Sequence, residues 1–170
     1  MSLKIGVLGA SRIAELAIVG PAHELGHRLV AVAARDPQRA QLFAEKHSVE
    51  RVLASYDELV NDPDVDVVYN PLANALHAPW NLAAIAAGKP VLTEKPFARN
   101  RAEAERVAAA ADAAGITVME GFHYLCHTHR IIAAHTAFMG RPSRRCATTV
   151  RSAPSCLGRS GRPSKFRDPA

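Results

Sequence analysis

The chain has 170 residues, 48% of them hydrophobic and 22% charged, a make-up that gives one domain a sizeable core and excludes disorder throughout. No apolar run approaches the roughly 20 residues that cross a bilayer, and the first residues lack the basic start and apolar stretch of a secretion signal, so the expected location is the cytoplasm, without a membrane partner. The formal net charge of +5 is uneven: of 21 Lys and Arg and 16 Asp and Glu, eight basic residues and only Asp168 lie from Arg141 onward, a local +7, while the remaining 13 and 15 leave −2, so the body gives no electrostatic reason to expect nucleic acid.

Leu3 to Leu8 is a short apolar run closed by Gly9, and Arg12 to Val19 carries apolar residues at helical spacing, which predicts strand, turn and helix. Leu29 to Ala34 is a second strand. Asp36 and Pro37 then suit the cap and first turn of a helix reaching about His47. Ser55 with Glu58 forms a capping box for a short helix, Val65 to Tyr69 is the next strand, and Asn74 to Ala87 is a helix with Gly88 past its end. Val91 to Glu94 is another strand. Asn100 with Glu103 starts an Ala-rich helix that Gly115 stops after Ala114, and Ile116 to Met119 is the last strand. Apolar strands separated by helices predict an α/β fold: a doubly wound parallel sheet, the Rossmann type, covered on both faces with right-handed crossovers.

The expected organisation is a Rossmann domain over residues 1–122, the start of a linker helix over 123–140, and a basic tail over 141–170 in which Arg, Ser, Pro and Gly replace any apolar periodicity. That tail is expected to be disordered. Cys126, Cys146 and Cys156 show no CxxC spacing and read as reduced thiols.

Gly9, Ala10, Ser11, Arg12, Ile13 and Ala14 occupy the six places of a GxGxxG turn, with Gly kept first, Ser second and Ala third. Each substitution keeps the physical sense: Gly9 permits the tight turn, Ser11 is small enough for the backbone to approach a pyrophosphate, and Ala14 allows close packing of helix on sheet. A glycine turn that binds nothing is the alternative, which the strand and helix on either side weaken. After the second strand an acid that would bond the ribose hydroxyls of NAD is absent. Ala34 and Arg35 stand there instead, and Arg35, supported by Arg39, suits a 2′-phosphate and an adenine face, which favours NADP over NAD. A solvated loop charge is the alternative for Arg35.

Ligands of an open parallel sheet bind beyond the carboxyl ends of its strands, so the Gly9 turn and the Glu94, Lys95 and Pro96 that end the apolar run from Val91 reach the same rim. Lys95 is the candidate for moving a proton beside a nicotinamide.

Five segments together resemble the Gfo/Idh/MocA oxidoreductases: IGVLGASRIA (Ile5 to Ala14), AVAARDPQR (Ala31 to Arg39), PLANALH (Pro71 to His77) followed by Trp80, GKPVLTEKPF (Gly88 to Phe97), and the weaker MEGFHY (Met119 to Tyr124). The resemblance spans Lys4 to Arg130 and is most specific at GKPVLTEKPF. It implies that Leu72, Asn74 and His77 lie along the cofactor near the nicotinamide, that Glu94 and Lys95 contact its ribose and the substrate, and that the bond before Pro96 is cis. It also implies NADP-dependent hydride transfer to or from a sugar, polyol or related alcohol, with Lys95 as the catalytic residue working beside a histidine from a second domain. For His77 a hydrogen-bonded packing role remains the alternative.

The pattern departs after MEGFHY. Where relatives continue with Arg and a His-Pro pair, this chain has Leu125, then His127 and Thr128, and the 50 residues after Glu120 are too few for the second, antiparallel domain that family members carry and through whose sheet they often associate. Translation out of frame after about His129, or a degraded copy, is the hypothesis for this switch, and the other reading frames of the coding sequence test it. A remnant or accessory subunit that binds nucleotide without turnover is therefore a second reading. A third, from another class, is nonspecific nucleic-acid binding by the Arg-rich tail, which has only Phe166 as an aromatic. His123, His127, His129 and His135 beside Cys126 have the residue types of a metal site, but the missing second-shell carboxylates favour partly exposed histidines, so no metal is expected.

Overall fold

A computed structural model of the chain describes residues 2–122. The linker and tail expectations, the three cysteines and the late histidines lie outside the described residues. Six parallel strands form one sheet in the order β3-β2-β1-β4-β5-β6: β1 is Lys4–Leu8, β2 Arg28–Ala33, β3 Arg51–Leu53, β4 Val67–Asn70, β5 Val91–Thr93 and β6 Val118–Glu120. The order reverses direction between β1 and β4, which is the switch point where a doubly wound sheet opens a crevice.

The helices are α1 (Arg12–Ala14), α2 (Gly20–Glu24), α3 (Pro37–His47), α4 (Tyr56–Asn61), α5 (Asn74–Ala86) and α6 (Arg101–Ala114). Between α1 and α2 the chain does not stay α-helical, as the spacing from Arg12 to Val19 predicts, but widens to a π-helical turn over Glu15–Val19. The predicted caps form. Asp36 accepts from the N–H groups of Gln38 and Arg39, Ser55 from that of Glu58, and Asn100 from that of Glu103. Glu58 closes its capping box one residue early, on the Ala54 N–H at 2.8 Å.

Six strands are present, yet the third in chain order, Arg51–Leu53, corresponds to no predicted apolar run. It is an edge strand of half-buried residues, so burial puts no strong hydrophobic signature on it. Strand ends also shift by one or two residues: Val65 is buried just before β4, and β6 runs to Glu120 rather than starting at Ile116.

Each face of the sheet carries its own core. On one face Leu8, Val30, Val68 and Val91 meet Leu59 of α4, Ile85 of α5 and Val107 of α6. On the other, Ile5, Val7, Leu29 and Val32 meet Val19, Ala22 and Phe43 from the α1 to α3 side. Removing the Leu59 side chain beyond Cβ would cost about 3 kcal/mol, since it is fully buried. Gly6 of β1 makes the close approach of α4 possible: a Cβ there would stand 2.9 Å from Leu59 Cδ2 and 3.0 Å from Val65 Cγ1.

Candidate functional site

Because all six strands run parallel, their carboxyl ends share one edge, and the Gly9 turn, Arg35, Leu72, Lys95 and Glu120 all follow or end a strand there. The turn after β1 is shaped by backbone. Gly9 has φ +91°, a left-handed conformation that side chains resist, and its N–H donates to Ala33 O at 2.7 Å. A Cβ at Gly9 would also lie 2.9 Å from Leu72 Cδ2. Ser11 caps α1, its Oγ accepting from the Ala14 N–H at 3.3 Å. The first N–H groups of a helix have no intrahelical partner, so Arg12 and Ile13 offer an anion two main-chain donors at this turn.

A cleft of about 450 Å³ opens over the turn, lined by Gly9, Ala10, Ser11, Arg35, Arg39 and Leu72 among others. The two arginines have different duties. Arg39 Nη2 donates to Ala10 O at 3.0 Å and so braces the turn from α3. Arg35 is exposed and has no hydrogen-bond or ion-pair partner among the described residues. Asp36, the nearest acid, spends its carboxylate on the cap of α3, accepting from Gln38 N at 2.9 Å and Arg39 N at 3.3 Å. The chemistry at the end of β2 is therefore that of a bare guanidinium.

Arg12 does not line this cleft but a second hollow, with Glu15, Leu42 and Lys46. Glu15 there accepts from Lys46 at 3.0 Å, and with His47 beside it the carboxyl is held below its usual range, chiefly by the lysine.

The other half of the rim is built on buried polar groups. Glu94, only 5% exposed, follows β5, and its Oε1 accepts from the Tyr69 hydroxyl at 2.8 Å. Burial first, and the Glu94 carboxylate second, hold the Tyr69 phenol far above its ordinary range, so it remains a donor. Lys95 is exposed, its N–H donating to Glu94 Oε2 at 3.4 Å and its ammonium without a partner among the described residues, and the Lys95–Pro96 bond is cis. Two side chains hold the turn that follows: Glu120 of β6 accepts from the Phe97 N–H at 2.7 Å, and His77 of α5 sits 2.6 Å by Nδ1 from Pro96 O.

His77 is 1% exposed, and its Nε2 lies 2.7 Å from Leu72 O. Its ring thus spans the Leu72 loop and the Pro96 turn with a main-chain oxygen within hydrogen-bond reach of each nitrogen, of which the neutral ring donates to one; what it presents to the rim is the shape of those two loops. Asn74 is exposed at the first position of α5. Neither it nor His77, Glu94 or Lys95 lines the cleft, which gathers only the turn, the arginines and Leu72 from the predicted set.

Sequence reasoning did not single out Tyr69, which reads as one more strand residue, or Tyr56, which lines the cleft. Glu120 stood inside the MEGFHY segment, but no role for it was legible. Asn70 and Asn81 were also missed: Asn70 Nδ2 donates to Asn81 Oδ1 at 2.8 Å beneath the loop, and both are fully buried. Among the described residues no helix is long and apolar enough to cross a membrane.

Comparison with known proteins bears directly on this rim. Mouse trans-1,2-dihydrobenzene-1,2-diol dehydrogenase is 39% identical over 122 residues, which are 71% of this chain and 37% of the mouse enzyme. D-xylose 1-dehydrogenase (NADP(+)) 2 of Haloferax volcanii is 35% identical over 125 residues, 74% of this chain and 38% of that enzyme. Among solved structures, the 3-ketoreductase KijD10 of Actinomadura kijaniata, in complex with NADP and TDP-benzene, superposes with a TM-score of 0.72 at 38% identity, covering 81% of this chain and 42% of KijD10. The chain thus spans well under half the length of these relatives. The Gfo/Idh/MocA profile, described as an oxidoreductase family with an NAD-binding Rossmann fold, matches residues 3–122, and with that match the chain belongs to this family of NAD(P)-dependent dehydrogenases and reductases.

Proposed function

We propose that this chain forms the cofactor domain of an NADP-dependent oxidoreductase acting on a sugar, polyol or related alcohol or carbonyl. The observation that carries the cofactor preference is the end of β2: Arg35 stands bare beside the cleft while Asp36 is consumed as a helix cap, so a 2′-phosphate meets a cation and a 2′-hydroxyl meets no free carboxylate. The Haloferax relative and KijD10, both NADP proteins by name, support the same preference. The residues fit the dinucleotide: Gly9 lacks the Cβ that would crowd Leu72, Ser11 is small and caps a helix, and the cleft joins the turn to Arg35.

When bound, the nicotinamide supplies or accepts the hydride. The chain's own contribution to that chemistry is Lys95. Its ammonium donates a proton to the oxygen of a carbonyl being reduced, and its neutral amine takes the proton from a hydroxyl being oxidised. Glu94, fixed by Tyr69, and the clamp of His77 and Glu120 set where the backbone of Lys95 lies. Leu72, which walls the cleft, and Asn74, which begins α5 two residues on, are the neighbours expected for the dinucleotide beyond it.

Calorimetric titration with NADPH and NADH tests the nucleotide part, with NADPH expected to bind more tightly. A panel of aldoses and polyols then separates turnover from nucleotide binding without catalysis. Absence of binding by either dinucleotide overturns both.

A further inference from the structure

Tyr56 is a residue of this site for which the turn motif gives no hint. It is the first residue of α4, and its ring packs edge-to-face on Trp80 of α5, with centroids 5.1 Å apart and planes at 78°. That contact fixes the ring against the core and leaves the hydroxyl at the wall of the cleft. The phenol oxygen lies 3.9 Å from the point where a Cβ on Gly9 would stand, across the turn whose left-handed glycine brings backbone close to a ligand. No protein group among the described residues takes its hydrogen. Of the two arginines that line the same cleft, Arg39 is tied by Nη2 to Ala10 O, and Arg35 stands at the end of β2.

From this placement we infer that the Tyr56 hydroxyl donates to a pyrophosphate oxygen of the bound dinucleotide, opposite the main-chain donors of α1. The inference rests on the nucleotide reading above. An anion seated on the glycine turn is met by N–H groups from one side only, and a rigidly packed phenol on the other side closes the cradle without adding a charge. A hydrogen bond from a neutral donor to a charged oxygen is short and stronger than a neutral pair. Tyr56 therefore contributes to holding any dinucleotide, whereas Arg35 chooses between the two kinds.

Tyr56→Phe keeps the ring and its contact with Trp80 and removes only the donor. In calorimetric titrations of the full chain, this variant should bind NADPH and NADH each roughly tenfold more weakly than the parent. Adenosine 2′-monophosphate, which keeps the adenosine and 2′-phosphate but has no pyrophosphate, should bind parent and variant alike. Unchanged NADPH affinity overturns the inference, as does an equal loss for the monophosphate, which would put the hydroxyl on the adenosine instead. A parent that binds no dinucleotide sinks the nucleotide reading itself and this assignment with it. Should the variant unfold, acetylation of tyrosine hydroxyls by N-acetylimidazole, mapped by mass spectrometry on the unaltered chain, asks the same question. NADPH should shield Tyr56, with Tyr69, bonded to Glu94 and 2% exposed, as the unreactive internal control; equal labelling of Tyr56 with and without NADPH overturns the assignment.

Discussion

The two halves of the sheet prepare their rims in opposite ways. Beyond β1 and β2 the site consists of main-chain donors, a glycine and a bare arginine, and the side chains that support it are exposed: Arg39 on Ala10, Asp36 on its own helix. Beyond β4, β5 and β6 a buried set of Tyr69, Asn70, His77, Asn81 and Glu94 lies under the turn that carries Lys95. The contrast fits the chemistry proposed for each half. A phosphate is large and multiply charged, and backbone dipoles at a helix start recognise it with little side-chain help. A single ammonium that must reach one oxygen of a substrate depends on where its own backbone lies, and buried hydrogen bonds in a low dielectric fix that position more firmly than exposed ones do.

Breaking the buried half should have the largest effect on the whole fold. His77→Leu keeps the bulk but removes the ring N–H that one of two main-chain oxygens, Leu72 O or Pro96 O, accepts from and the polar ring between them, and should lower stability by about 3 kcal/mol in urea denaturation. A loss below half a kcal/mol would mean that the ring is mere filling. On the bare half the effect should fall on binding alone: Arg35→Ala should weaken NADPH binding by about 2 kcal/mol, leave NADH within error, and move the melting midpoint little. Equal losses for both dinucleotides would remove Arg35 as the discriminating residue.

A finer cut returns to the buried half. Tyr69→Phe takes the donor from Glu94 Oε1 and should cost about 1.5 kcal/mol of stability by the same denaturation assay, with no loss of NADPH affinity if its work is confined to the Lys95 turn. The smallest effect concerns acid. Arg99 hydrogen bonds hold the Glu103 carboxyl below its usual range in the folded chain. A carboxyl lowered on folding contributes stability above its unfolded pKa of about 4.3 and loses it as the pH falls through the lower, folded value. Glu103→Gln should therefore lose less stability than the parent between pH 5 and pH 3 in urea midpoints followed across pH, about two units of range; parallel curves would show that the pair is silent.

Much of the bare half was legible in the sequence because its determinants are local. Gly9, Ser11 and Arg35 sit within a few residues of the strand ends that aim them, and Asp36, Ser55 and Asn100 cap the helices they precede. The buried half was legible only through resemblance at GKPVLTEKPF, since its contacts depend on register between strands. Tyr69 meets Glu94 because β4 and β5 pair Tyr69 with Leu92 and Asn70 with Thr93, and Glu120 reaches Phe97 because β6 pairs Glu120 with Thr93. No spacing along the chain encodes such pairings. The π-helical turn and β3 escaped for a related reason: the first keeps the apolar periodicity of an α-helix, and the second is too short and too shallow to leave one.

Gly6 ties these regions together. It lies in mid-strand, outside the lining of the cleft, but Leu59 rests almost directly on it, and Leu59 belongs to the helix that Tyr56 leads. One added methyl at position 6 would wedge that helix off the sheet and carry the phenol with it, changing the width of the nucleotide's doorway from a place that touches nothing but hydrocarbon. The aperture is thus governed partly from inside the protein, and a survey confined to the residues around its mouth would miss the hinge pin.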